Sequence, residues 1–152
     1  MKQRSVTFDV IGKPEPKGSA RAFVPLAWAK TAVAQQQQPR AVVTSDNPRV
    51  KVWEAQVAAA ARLVTREKFL GPVTLTALFH LKAPKRLRLL APHTTIPDLS
   101  KLIRSTEDAL TGILFVDDAQ IVAVFAKKVY AEGAPWARIT VTDASPNLPE
   151  GD

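Results

Sequence analysis

Pro97-Asp98-Leu99-Ser100-Lys101-Leu102-Ile103-Arg104 organises the rest of the chain, and it runs on through Gly112 to Asp117-Asp118. Proline cannot sit inside a helix and aspartate is a good N-cap, so a helix opens at Asp98. Leu99, Leu102, Ile103, Thr106, Ala109 and Leu110 recur at helical spacing; at roughly 100° per residue they make one apolar stripe. Ser100, Lys101, Arg104, Glu107 and Asp108 fall on the other side. Gly112 turns the chain, so the carboxylates of Asp117 and Asp118 come back either towards the mouth of the helix or away from it.

Upstream, Val73, Leu75, Ala77, Phe79 and Leu81 alternate, which predicts a strand over Val73–Leu81. The loop 82–95 that follows carries Lys82, Lys85, Arg86 and Arg88. Ser45-Asp46-Asn47-Pro48 is a helix-start signal. Val50, Trp53, Val57, Ala60, Ala61 and Val64 keep the helical period after it, predicting a helix over 48–67 that stops before Gly71-Pro72. Val6, Phe8 and Val10 alternate with Thr7 and Asp9, which makes Ser5–Ile11 the first strand. The segment 12–19 has two prolines, two glycines and no apolar residue, and reads as loop. Segments 21–26 and 41–44 read as the two arms of a hairpin. Between them, 27–40 tolerates helix through its alanines and glutamines but has no clear buried face, so a mobile excursion is expected. Downstream come a strand over 120–130, a turn at 132–135, a strand over 136–142 and a loose tail over 143–152.

This order predicts an α+β fold: a mixed sheet of four to five strands with two main helices packed on one face. Crossovers through the helices make neighbouring strands parallel, and the last two strands are expected to form an antiparallel hairpin. With 152 residues, 46% of them hydrophobic, the chain is expected to form one domain over 1–142 with a real core.

The chain has no cysteine, which excludes disulfides and thiolate metal sites. Its basic start lacks a long apolar run, and no window reaches the roughly 18 apolar residues of a membrane span, so a soluble, cytoplasmic protein is expected. A net charge of +7 and a pI near 10.0 favour a polyanionic partner.

Asp98 with Asp117 and Asp118 is the candidate site. Hydrolysing a phosphodiester needs charge neutralised on the transferring phosphate and a water made nucleophilic. Carboxylates holding Mg²⁺ supply both. The competing reading makes Asp98 only a helix cap and Asp117-Asp118 only a turn. Asp108 lies further along the polar face, roughly 15 Å from Asp98 by helix rise, and suits a salt bridge with Lys101 or Arg104 better than a shared ion.

Proline-aspartate, a Leu-Ile-Arg helix, Asp108-Ala109-Leu110-Thr111-Gly112 and then Asp117-Asp118-Ala119-Gln120-Ile121-Val122 resemble the core of RusA-type Holliday junction resolvases. The resemblance is densest over Pro97–Val122 and extends more loosely over Val6–Thr142. It implies a homodimeric, Mg²⁺-dependent endonuclease (Mn²⁺ being the alternative ion) that cuts opposed strands of four-way junctions and other branched DNA. It also implies that Asp98 and Asp118 are metal-binding and catalytic, that Asp117 is their acidic neighbour, and that Arg104 stands where the family usually has a catalytic lysine. Arginine keeps the charge but cannot act as a general acid at ordinary pH. Ser100 occupies the metal-ligand position of a second aspartate, which removes one negative charge from the site.

Basic residues form a second constellation. Lys13, Lys17 and Arg21 flank the glycine loop; Lys82, Lys85, Arg86 and Arg88 precede the acidic helix; Lys101 is on it; Lys127 and Lys128 follow on a strand. Such residues bind backbone phosphates without reading sequence. His80 and His93 lack a second ligand at zinc spacing, and Gly12–Gly18 lacks the ending of a phosphate-binding loop. Trp53 and Trp136 sit on apolar periods and read as core, whereas Trp28 is available for stacking. A junction-binding protein that does not cut, and a small basic nucleic-acid-binding module, are the competing functions. If the Asp98 and Asp118 carboxylates lie within ~5–6 Å of each other, one ion can bridge them and the nuclease reading gains; if they point apart, the binding-only readings gain.

Overall fold

The computed structural model of the chain describes residues 2–18, 20–38, 41–45, 47–85 and 92–147. Elements run β1 (Ser5–Ile11), β2 (Ala20–Phe23), α1 (Leu26–Ala34), β3 (Val42–Ser45), α2 (Val50–Val64), β4 (Val73–Leu81), α3 (Leu99–Leu110), a 3₁₀ turn (Asp118–Gln120), β5 (Ile121–Tyr130) and β6 (Trp136–Asp143). The fold is α+β. A four-stranded mixed sheet has the order β1-β6-β4-β5, and β2 pairs with β3 in a separate antiparallel hairpin.

β4 and β5 are parallel, joined through α3, as the crossover rule requires. The last two strands do not form the expected hairpin. β6 pairs antiparallel with both β4 and β1, and β5 is left at an edge. Ala131 donates its N–H to the carbonyl of Leu81 (2.6 Å), so the chain steps over the end of β4 before descending. β1 and β4 run parallel with a slot between them, and β6 fills it with both of its edges hydrogen-bonded.

The alternation of the strands sets the core. Val10, Leu75, Phe79, Ile139 and Val141 meet Trp53, Val57 and Ala61 of α2 and Leu102 and Leu110 of α3, all buried in one cluster. Burying each large side chain is worth about 1.5–3 kcal/mol. α2 starts later than its sequence signal: the turn at 48–49 comes first, with Asn47 Oδ1 accepting the Arg49 N–H at 3.2 Å. The side-chain amide of Asn47 donates to the carbonyl of Pro16 at 2.8 Å and so ties down the first loop.

Residues 26–34 form a helix where an excursion is expected, because a run rich in alanine needs little burial to be helical. Its burial agrees with the missing stripe: among its residues only Ala32 is buried, and Trp28 is exposed.

Gly112 closes α3 with φ +80°, a conformation glycine adopts freely, and donates its N–H to the carbonyl of Phe115 at 2.7 Å. That turn sends the chain to the 3₁₀ turn and β5.

Candidate active site

Asp98 occupies the N-cap position of α3, with extended backbone, but its side chain makes no cap hydrogen bond. Its carbonyl accepts from the N–H groups of Lys101 and Leu102, both at 3.2 Å, while its carboxylate stands exposed, 4.0 Å from the Lys101 ammonium. A side chain kept only for capping would bond the first free N–H groups of the helix. This one faces a cleft of about 450 Å³, lined by Lys13, Lys82, Lys101, His93, Leu81 and Pro97 among others.

A second acidic group gathers at the other end of α3. Asp117 Oδ1 accepts the Ala119 N–H at 2.9 Å, and Gln120 returns the bond by accepting from the N–H of Asp117 at 3.1 Å. The Gln120 amide donates to the carbonyls of Phe69 and Gly71, both at 2.9 Å, and anchors the turn to the body of the protein. The Ala119 N–H and then the Asp118 side chain hold Asp117 below the usual carboxylate range. The contact with the Asp117 side chain, and then the charges of Asp117 and Asp108, push Asp118 up. Glu107 is raised as well, first by burial and then by the charges of Asp118 and Asp108, with Arg104 opposing them.

Asp98 and Asp118 therefore belong to different poles. Asp108 follows Asp98 by ten residues along α3, about 15 Å of axis. β5 shows the same separation. Near its end, Lys128 donates to the Pro97 carbonyl at 2.8 Å, whereas Asp118 stands in the turn that leads into its start. From Ile121 to Lys128 an extended strand runs about 23 Å. Ser100 and Arg104 lie exposed on α3 between the poles.

The basic residues divide by what their charges already do. Lys17 is held by Asp108 at 2.9 Å and Glu54 at 3.2 Å, and the pairing with Asp108 is the main cause that raises its pKa. Asp108 thus pairs with Lys17 rather than with Lys101 or Arg104, the partners its spacing on the helix predicts. Lys128 is bound to two carbonyls, those of Thr95 at 2.6 Å and Pro97 at 2.8 Å. Lys13 pairs with Glu15 at 3.4 Å yet remains largely exposed. Lys82, Lys85, Lys101 and Lys127 are exposed. Arg21 stands in β2 opposite Thr44. Arg86 and Arg88 lie outside the described residues.

A model of the family described as Endodeoxyribonuclease RusA matches residues 22–142. The chain belongs to the RusA endodeoxyribonuclease family. Among curated proteins, none matches it. As a RusA-family protein it is an endodeoxyribonuclease of the Holliday junction resolvase kind, and the RusA nucleases generally depend on a divalent metal. No described helix of this RusA-family chain is long and apolar enough to cross a membrane.

The donor chemistry of this RusA-family chain suits such an ion. Asp117 and Asp118 are adjacent exposed carboxylates that shift each other in opposite directions, and the negative charge of Asp108 adds to the rise at Asp118. Hard oxygen donors crowded in this way suit a divalent cation. Among the described residues, however, no three His, Cys, Asp or Glu side chains gather into a group able to hold a metal.

Sequence reasoning missed one residue here, His93, and placed a second, Glu107, only on the polar face of α3. His93 is 8% exposed, lines the cleft beside Asp98, and has a buried Nδ1 without a partner among the described residues. Glu107 joins the Asp118 pole. No local pattern marks His93, because its cleft forms only when the loop before α3 folds back on β5. Glu107 was visible on the polar face, but its link to Asp118 depends on the path taken after Gly112.

Proposed function

We propose that this RusA-family nuclease is a Mg²⁺-dependent, structure-selective endonuclease, able to use Mn²⁺, that resolves four-way junctions and other branched DNA as a homodimer. The observation that carries this is the Asp98 carboxylate: it sits at a helix mouth, is not used as a cap, and faces a cleft edged by Lys13, Lys82 and Lys101. A cleft with that lining draws in a phosphate backbone and sets a carboxylate against it.

Asp98 and Asp118, with Asp117 and the hydroxyl of Ser100, are the proposed metal-binding groups. A bound divalent cation supplies charge neutralisation on the phosphate and an acidified water. Arg104, exposed between the poles, stabilises charge on the transferring phosphate and holds its own proton throughout. Lys82, Lys85, Lys101 and Lys127, with Lys13, Arg21, Arg86 and Arg88, carry the backbone contacts. Lys17 and Lys128 leave that set, because their ammonium groups are already bound within the chain.

The distance between the poles gives the homodimer a chemical role. β5 is an edge strand whose Val122 and Phe125 are exposed. A twofold axis beside it runs the two copies of β5 antiparallel and sets the Asp98 end of one against the Asp118 end of the other. Each cut then draws on both chains.

Incubating the protein with a synthetic four-way junction, with and without Mg²⁺, tests the reading. Paired nicks that require the ion are expected. Binding without cutting at any concentration of Mg²⁺ or Mn²⁺ would remove the metal-site assignment.

A further inference from the structure

The loop before α3 is fastened to β5 by one side chain. The Lys128 ammonium donates to the Thr95 carbonyl at 2.6 Å and to the Pro97 carbonyl at 2.8 Å. The backbone of the same residue takes part as well: its carbonyl accepts the His93 N–H at 3.1 Å, beside an isolated bridge between Pro92 and Val129. The His93 ring packs on Tyr130, with ring centroids 4.8 Å apart. Asp98 is joined directly to Pro97, whose carbonyl Lys128 holds.

These bonds settle what the Lys128 charge is for. An ammonium group has three protons to donate. Two of them are committed to carbonyl oxygens, and the side chain is only partly exposed. Its neighbour Lys127 alternates outward and is exposed, with no bond of this kind among the described residues. Loops before helices are otherwise mobile, and the residue after Pro97 must be held if its carboxylate is to keep one position in the cleft.

We infer that Lys128 is a positioning residue: it fixes the 95–97 segment so that the Asp98 carboxylate is presented to the phosphate, and it does not itself contact DNA. The assignment rests on the reading of Asp98 as an active-site carboxylate.

Lys128→Met keeps the stem and removes the donors. Single-turnover cleavage of a four-way junction, at saturating protein and Mg²⁺, is expected to slow on the order of 10- to 100-fold, as misplacement of a reacting group does. Junction affinity is expected to stay near that of the parent. Lys127→Met is expected to show a different pattern, weaker binding with a shallower dependence on salt. Lys128→Arg, which restores donors at the same place, is expected to recover part of the rate. If Lys128→Met does not fold, Lys128→Gln carries the same comparison with one donor group retained. Weakened affinity with a normal saturated rate, or parent behaviour in both, overturns the assignment. Asp98→Asn separates the two ideas. If it cuts normally, the reading of Asp98 fails and takes the Lys128 role with it. If it is inactive while Lys128→Met cuts at the parent rate, only the positioning role fails.

Discussion

Lys17 sets its ammonium 2.9 Å from the Asp108 carboxylate and 3.2 Å from that of Glu54, which ties the first loop to α3 and α2 together. Its backbone N–H adds a bond to the Lys101 carbonyl at 3.0 Å, and Ser105 reaches the Glu15 carbonyl at 2.7 Å. Lys17→Met is therefore expected to cost about 1–2 kcal/mol, since both partners are partly shielded, and to lower Tm by a few degrees. Junction affinity should change little. A thermal melt and a binding isotherm on the same variant check this; strong loss of affinity at unchanged Tm would return Lys17 to the DNA-binding set.

Lysines not bound inside the chain behave differently. Lys82, Lys85 and Lys127 are exposed, and each removal of a phosphate-binding charge should lower the slope of log affinity against log salt by about 1. Lys82→Ala, Lys85→Ala and Lys127→Ala are expected to do this one by one, leaving the saturated rate alone. Binding of the parent should weaken steeply with salt. A parent slope near zero would remove the electrostatic account.

Much of the fold is legible in the residues alone. Ser5–Ile11 and Val73–Leu81 match the sequence reading residue for residue, because strict alternation over a half-buried sheet leaves little choice of face. The stripe Leu102, Thr106, Ala109 and Leu110 is buried as the helical period requires. The place of β6 is not legible. Alternation says which face is buried but not which strand is the neighbour, and the slot between β1 and β4 exists only in three dimensions. The two acidic blocks are visible in the chain as well. Their separation is not, because it depends on α3 and β5 both keeping their full length between them. The roles of Lys17 and Lys128 need distances: a lysine bound to a carbonyl and a lysine facing solvent look the same in sequence.

Stability should fall in mild acid through the two histidines. Burial, then the charge of Arg138, lowers the pKa of His80, which stacks on Trp136 at 3.9 Å; burial, then Lys128, lowers that of His93. The unfolded chain takes up these protons near the ordinary value of 6.5, and the folded chain resists them. The stabilisation is complete above that pH, declines as pH falls through it, and levels off below the lowered folded values. The Asp9–Arg138 pair acts in a lower window, because Asp9 is depressed below 3.8, chiefly by its hydrogen bond to Arg138. His80→Phe, which keeps a stacked ring, should flatten the dependence of Tm on pH between about 7 and 5. An unchanged profile would exclude His80 as a source.

Ser100 is exposed on α3, one residue beyond the first helical position. Replacing it by aspartate adds a charged hard-oxygen donor to the Asp98 pole, so Ser100→Asp should lower the Mg²⁺ concentration that gives half the maximal cleavage rate. Titrating the ion against single-turnover rate measures it. A rise in that concentration would show that Ser100 does not face the ion.

Asp98→Asn and Asp118→Asn should each abolish cleavage while leaving junction binding intact or stronger, since each removes negative charge beside a phosphate backbone. Asparagine caps a helix about as well as aspartate, so a cap-only role for Asp98 expects an active, equally stable variant. The two variants mixed in one dimer decide more. If each site lies within one chain, a dimer of one Asp98→Asn chain and one Asp118→Asn chain has no intact site, and the mixture stays inactive. If each site takes Asp98 from one chain and Asp118 from the other, the same dimer has one site with both substitutions and one with neither. That dimer should nick a four-way junction on one strand without resolving it. Single nicks from the refolded mixture, absent from either variant alone, are the expected result, because about 15 Å of helix stands between Asp98 and the Asp108 end of α3 within a chain. A silent mixture, with dimers present by light scattering, would place the whole site in one chain.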